Sequence, residues 1–243
     1  MSAGETPPPA GSRRVQASDE GLLLAIDAST YAGSAALVRG SAIVAECTVA
    51  MRGEREERLM PAIAAMMERA GVRPDALTAL VCGAGPGSFT SLRIAASIAK
   101  GLAVSLDRPL YSVSSLLLVV AGADPALPSG RYAVLVDAMR GELYAATVEQ
   151  PAGEGARMTS PVVIIRAGES GAYASAAGAA AIGPGIGAGS PPHARGVARL
   201  PPPGRPGSPL TMADVALWEP DYGRLAEAQV RWEAAHGRAL PAG

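Results

Sequence analysis

A chain of 243 residues with 21 basic and 22 acidic side chains carries no net field to draw it onto nucleic acid or an anionic membrane surface. Apolar residues make up 49% and aromatics only 4%, so the core it builds is aliphatic and alanine-rich. Cys47 and Cys82 stand far apart in sequence, which excludes a Cys-x-x-Cys redox or zinc motif and fits a reducing, cytoplasmic location.

Residues 1–20, with Pro7-Pro8-Pro9, read as a disordered tail. Arg13-Arg14 opens no convincing signal core, because Asp19 and Glu20 intervene and the apolar run from Leu22 stops at Asp27. The run Leu22 to Ala28 reads as a buried strand entering a turn at Asp27-Ala28-Ser29-Thr30. Ser34 to Val38 and Ala42 to Val49 follow as a hairpin. A helix is expected from about Glu56 to Ala70, closed by Gly71 and Pro74. Leu77 to Cys82 is the next strand, running into the corner Gly83-Ala84-Gly85-Pro86-Gly87-Ser88 and a helix from about Phe89 to Ala103.

The pattern then restarts. Pro109 to Val113 reads as a strand, and Ser114 as the cap of a helix through Ala121. The apolar run Leu116 to Ala121 is too short to span a bilayer, and no membrane role is expected. Tyr132 to Asp137 and Glu142 to Val148 form a second strand, Asp, turn and strand, echoing the one around Asp27. An internal duplication is a candidate. Beyond Gln150, Val162 to Ile165 and Ala179 to Ile182 read as strands, and Gly183 to Pro209 as a Pro/Gly/Ala-rich loop. Helices are expected at Met212 to Trp218 and Tyr222 to Ala235. The division expected is a tail at 1–20, a first lobe at 21–105 and a second at 106–243 that contains the loop 183–209.

The chemistry in this pattern is sparse. The glycine corner is no P-loop, because no Gly precedes a Lys, and its G-x-G-x-G spacing is not the dinucleotide fingerprint. Two readings stay open for Gly85, Gly87, Ser88 and Thr90. The amides opening the helix could receive an anion, or the glycines serve backbone approach and Ser88 caps the helix. His193 and His236 sit beside no nucleophile, so no catalytic residue and no metal site are expected. Asp27 and Asp137, at strand ends, are candidate cleft-edge carboxylates or acceptors of turn amides. Two helix stripes stand out. In the later helix Ser91, Ala95, Ala99 and Ala103 form a ridge of small side chains, and in the earlier one Leu59, Ile63, Met66 and Ala70 form one stripe and Met60, Ala64 and Met67 another. These serve equally as internal core or as a surface for a partner's helices.

The motifs in combination resemble one family. Gly85-Pro86-Gly87-Ser88-Phe89-Thr90, with Leu92-Arg93-Ile94 and Ala99-Lys100-Gly101-Leu102, is similar to the signature of TsaB (YeaZ) proteins. So are Leu24 to Thr30, Leu59-Met60-Pro61, Val113-Ser114-Ser115-Leu116 and Asp137-Ala138-Met139-Arg140-Gly141-Glu142-Leu143-Tyr144. The resemblance covers roughly residues 22–149. It implies an α/β, ribonuclease H-like fold of the actin, sugar-kinase and heat-shock-ATPase class with two related lobes. It also implies a non-catalytic scaffold role in placing threonylcarbamoyl on the adenosine beside the anticodon of ANN-decoding tRNAs.

The partners so implied are TsaD as a heterodimer, the ATPase TsaE, TsaC as source of the adenylate, and tRNA indirectly, with a homodimer when TsaD is absent. The two helix stripes become the docking surface, and the corner becomes mainly structural, aiming the docking helix. Ser91 and Ala95 stand where the signature usually has Gly. The first turn, Asp27-Ala28-Ser29-Thr30, lacks the glycine an ATPase of this class wants, and Arg55-Glu56-Glu57-Arg58 lacks the paired histidines of a TsaD-like metal site. No cofactor is therefore expected, except a nucleotide at an interface shared with a partner. The rival reading is a kinase-like ATPase or a glycoprotease-type peptidase.

Overall fold

The computed structural model describes residues 21–52, 56–187, 189, 191–223 and 237. The tail at 1–20 and the helix expected at Tyr222 to Ala235 beyond Gly223 lie outside the described residues. Two sheets organise the rest.

The first sheet begins with β1 (Leu22–Asp27), β2 (Ala32–Arg39) and β3 (Ala42–Ala50), an antiparallel meander. β4 (Ala79–Gly83) and β5 (Leu110–Val113) add in parallel on the other side of β1. Because strand side chains alternate, β1 splits its apolar residues between two cores. Leu24 and Ile26 face α1 (Leu59–Arg69) and α2 (Phe89–Leu106), packing with Leu59, Ile63, Met66, Ala95 and Ala99. Ala25 points the other way, toward α3 (Ser115–Ala121). Every residue of α3 is buried, as expected of a helix apolar all round. It lies between the first sheet and the second.

The second sheet repeats the plan of the first. β6 (Gly130–Asp137) and β7 (Glu142–Gln150) form an antiparallel hairpin, and β8 (Arg157–Met158) and β9 (Val163–Arg166) pair with the far side of β7. α4 (Ser170–Ala176) then leads to β10 (Ala180–Ile182), parallel to β6. Hairpin, third strand, helix and parallel strand therefore occur twice, in β1–β2–β3–α1–β4 and β6–β7–β9–α4–β10. The duplication that the patterns around Asp27 and Asp137 offered as a candidate is present in the topology of this α/β fold.

Three expectations need correction. The helix expected at Met212 to Trp218 is instead β11 (Thr211–Ala213), paired antiparallel to β5, followed by a turn in which Asp214 Oδ1 accepts the N–H groups of Ala216 and Leu217. An Asp side chain competing for backbone donors stops a helix here. The lobe boundary at 105/106 does not follow sheet membership, because β5 and β11 both complete the first sheet. The stretch 183–209 is more than a loop. A 3-10 helix at Ala194–Arg199 packs on β2 and α3, with Ala194, Val197 and Ala198 buried.

That return segment is held by polar contacts that carry no sequence periodicity. Ala194 N–H donates to Ser34 Oγ, and the Arg199 guanidinium donates to the carbonyls of Ala121 and Ala123. Arg195 pairs with Glu46 at 3.1 Å and Asp124 at 2.7 Å. His193 accepts from Arg195 N–H at Nδ1 and meets Thr48 Oγ1 at 3.2 Å. Burial, then the Arg195 charge, lowers His193 to about 4 from an ordinary 6.5.

The small ridge also resolves. Ser91, Ala95, Ala99 and Ala103 are all buried, as are Leu59, Ile63 and Met67. They form the core between the helices and the first sheet, so they are not a partner surface. Small side chains here bring α2 close to the strands. Of the expected docking residues, Met60 and Ala64 are exposed. By length and composition alone α2 could cross a membrane, but this buried face rests on the sheet.

Two outcomes are expected. Ala99→Leu overpacks the core and costs about 1–3 kcal/mol, lowering Tm by about 2–4 °C per kcal/mol. Val104→Ala, at a position 71% exposed, stays within about 0.5 kcal/mol of the parent. Calorimetric melting compares the two. For His193, the unfolded chain takes up a proton below about pH 6.5 while the folded chain resists until about 4. The stability it contributes is full above pH 6.5 and is lost as pH falls toward 4. Urea midpoints at pH 7 and pH 5 should therefore drop less in His193→Gln than in the parent.

Candidate functional site

The glycine corner sits on the first turn through contacts that leave no room for side chains. Asp27, at the end of β1, is fully buried. Its Oδ1 accepts Ser29 N–H at 3.0 Å and Ser29 Oγ at 2.9 Å, and its Oδ2 accepts Ser115 Oγ at 2.6 Å. Burial pushes the Asp27 carboxyl above the usual carboxylate range, and the three donors pull it back. A Cβ on Gly83 would overlap Asp27 Oδ2, and one on Gly87 would overlap the Ser29 carbonyl. Gly85, at φ +84, would meet the Asp221 carbonyl. Its N–H donates to Ser115 Oγ at 2.9 Å, and Ser88 N–H donates to the Ser29 carbonyl at 2.7 Å.

The corner is thus a packed joint, and Asp27 is a structural acceptor instead of a cleft-edge carboxylate. Ser88 holds the N-cap position of α2, but its hydroxyl pairs with Ser91 Oγ at 3.1 Å and makes no cap bond. Ser114 likewise precedes α3 without capping it, and its Oγ has no hydrogen-bond partner among the described residues.

A cavity of about 910 Å³ opens between the lobes. The first turn (Ser29, Thr30, Tyr31) and the start of α2 (Gly87 to Thr90) wall one side. Asp137, Met139, Arg140 and Glu142 of the β6–β7 turn wall the other, with Tyr144 and Tyr222. Asp137 is exposed, unlike Asp27, and lies at the cavity rim. Its Oδ1 accepts Met139 N–H at 2.7 Å, and its Oδ2 accepts Tyr31 OH from the opposite lobe at 3.1 Å. The Arg52 guanidinium stacks on the Tyr31 ring at 3.5 Å. Burial and the Asp137 bond raise the Tyr31 phenol, keeping it a donor. Phe89 and Tyr222 meet with ring centroids 4.6 Å apart. Tyr222 is pushed up to about 12 by burial and its hydrogen bond to Glu219.

Outside the cavity, a second depression runs along α2, lined by Glu57, Arg93, Ile94, Ser97 and Ile98, with Phe89 and Thr90 shared with the cavity. The Glu57 carboxylate accepts the N–H groups of Leu59 and Met60 that open α1. The exposed ridge of α2 is therefore Thr90, Arg93, Ser97, Gly101 and Val104. Among the described residues, no three His, Cys, Asp or Glu side chains are grouped to hold a metal. Sequence reasoning missed Tyr31, Arg52 and Tyr222. For the two tyrosines rarity was the available signal, since one Phe, six Tyr and two Trp are all the aromatics in the chain.

The family described as TsaD: tRNA N6-adenosine threonylcarbamoyltransferase matches residues 50–163. The tRNA threonylcarbamoyladenosine biosynthesis protein TsaB of Bacillus subtilis is 36% identical over 122 residues, 50% of this chain and 52% of that protein. The chain thus spans about half the length of the curated relatives it matches. The solved structure titled YeaZ from Pseudomonas aeruginosa superposes with a TM-score of 0.62 at 27% identity, covering 72% of this chain and 88% of that one. A second, titled an uncharacterized protein with similarity to peptidase YeaZ from Pseudomonas aeruginosa, gives 0.68 at 27% identity, covering 84% and 100%. Over about half its length the chain is thus similar to TsaB proteins, and its fold is similar to that of the solved YeaZ structures.

Proposed function

We propose that this protein is a cytoplasmic, non-catalytic scaffold of the assembly that installs threonylcarbamoyl on the adenosine beside the anticodon of ANN-decoding tRNAs. Its direct partner is a TsaD-type transferase. The ATPase TsaE joins the pair, TsaC supplies the adenylate, and tRNA is engaged indirectly. The observation that carries this reading is the outward face of α1 and α2. Met60 is 37% exposed and Val104 71%, and Ser97 and Gly101 leave space between them for a facing helix. In the absence of the transferase the same face offers a homodimer contact.

The chemistry inside the chain supports a role without turnover. A kinase-like ATPase needs amides directed at phosphate, yet each turn around the cavity donates one inward. Ser29 N–H goes to Asp27, Ser88 N–H to the Ser29 carbonyl and Met139 N–H to Asp137. A peptidase needs an activated nucleophile. The described histidine, His193, is held by Arg195 and Thr48 on the return segment, and Cys82 is buried with its thiol pushed far above the ordinary range by burial. The reading includes no resident cofactor and no membrane association.

The expected outcome separates surface from core. Ser97→Trp places bulk on the exposed ridge, so the variant melts like the parent but weakens pairing with the cognate transferase by about a hundredfold. Titration calorimetry with the purified transferase measures this. A reconstituted tRNA assay should show modified adenosine falling in parallel, while the chain alone hydrolyses no ATP. Normal pairing by folded Ser97→Trp, or steady ATP turnover by the isolated chain, would sink the reading.

A further inference from the structure

The cavity between the lobes gathers four of the nine aromatic side chains in this protein. Of its one Phe, six Tyr and two Trp, the Phe and three of the Tyr line this cavity: Tyr31, Phe89, Tyr144 and Tyr222. Met139 and Ile164 line it too, 51% and 44% exposed, and Tyr31 and Phe89 are themselves more than a third exposed. Apolar surface collected in a concave site, with a few polar groups at its rim, is the ordinary form of a small-molecule site.

The polar groups restrict the ligand. Carboxylates from Asp137 and Glu142 and guanidinium groups from Arg52 and Arg140 stand at the cavity in equal number, which does not favour a polyanion. One amide of each of the three surrounding turns is donated inside the protein, from Ser29 to Asp27, from Ser88 to the Ser29 carbonyl and from Met139 to Asp137, and is not turned toward a phosphate. What remains is a set of ring faces with acceptors and donors at their edges. That combination fits a planar, uncharged heteroaromatic group that stacks and hydrogen-bonds along its edge.

We propose that this cavity binds a nucleobase through its ring and edge and not through phosphate. Phe89 and Tyr222 supply stacking surface, and Asp137 accepts from the exocyclic amine. The base arrives either as a free nucleoside or unstacked from single-stranded RNA. The proposal does not depend on the docking role, because it concerns the isolated full chain.

The test is titration calorimetry of the full chain with adenosine, Mg-ATP and a short single-stranded oligoadenylate. Adenosine should bind saturably, and ATP should bind within about tenfold of it. Phe89→Ala and Tyr31→Ala should each weaken adenosine by about tenfold while melting like the parent. If Phe89→Ala unfolds, Tyr31→Ala carries the comparison, since its ring is at the rim and more exposed. Competition between the oligoadenylate and adenosine identifies RNA as a source of the base, and its absence identifies the free nucleoside. Either result upholds the site. No saturable adenosine binding up to its solubility would overturn the proposal. So would ATP binding more than about tenfold tighter than adenosine, or wild-type adenosine affinity in the folded variants.

Discussion

The buried carboxylate of Asp27 is the contact on which the rest of this structure is arranged. A carboxylate taken wholly out of water is costly unless its oxygens are satisfied. Here Ser29 supplies two donors and Ser115 a third, and Ser115 Oγ also receives the Gly85 N–H. One side chain thereby joins the end of β1, the start of α3 and the glycine corner. The absence of a side chain at Gly83 follows directly, since a Cβ there would displace Asp27 Oδ2. Gly87 has the same relation to the Ser29 carbonyl. Fixing the corner on the first turn fixes where α2 starts and which face it turns to the sheet.

The second copy of the same turn has gone another way. Asp137 holds the corresponding strand end but remains exposed, and one of its oxygens reaches Tyr31 across the cavity. Its turn carries three consecutive left-handed residues, Met139 at φ 66, Arg140 at 58 and Gly141 at 76. For the two side-chain-bearing residues that conformation costs about 1–2 kcal/mol each. Such strain is kept where surrounding contacts over-determine the backbone. Asp137 accepting Met139 N–H, Ala138 N–H donating to the Glu142 carbonyl and Glu142 N–H donating to the Met139 carbonyl provide them. The carboxylate of one turn is thus buried in a joint, and that of the other stands exposed at the cavity.

The elements legible in the sequence were those with a period. β1, β2, β6 and β7 show as apolar runs with an Asp at the turn, a repetition that made an internal duplication a candidate, while the expectation of two related lobes came from the resemblance. The face of α2 was not legible. In an alanine-rich chain, small residues every fourth position describe equally a helix pressed on a sheet and a helix awaiting a partner. The structure assigns Ala95 and Ala99 to the first case and Ser97 and Gly101 to the exposed side. The return segment at 191–199 was hidden for a different reason. Its position rests on Ser34, Glu46, Asp124 and the carbonyls of Ala121 and Ala123, all distant in sequence. The aromatic cavity was hidden likewise, because Tyr31, Phe89, Tyr144 and Tyr222 converge only after both lobes have formed.

The first turn of α2 has a double duty that follows from this geometry. Phe89 and Thr90 line the cavity on one side and the outer depression on the other. Arg93, one turn on, reaches back over the Phe89 ring at 5.3 Å, while Tyr222 meets that ring from the cavity side at 4.6 Å. A partner helix seated along Arg93 and Ser97 would therefore press on the same ring that an occupant of the cavity would touch. Because the corner beneath is anchored through Ser88 N–H to the Ser29 carbonyl, the backbone cannot readily yield to either. Adjustment falls on the Phe89 and Tyr222 side chains. The Phe89–Tyr222 pair is thus a direct point of contact between the inside of this protein and its outer face.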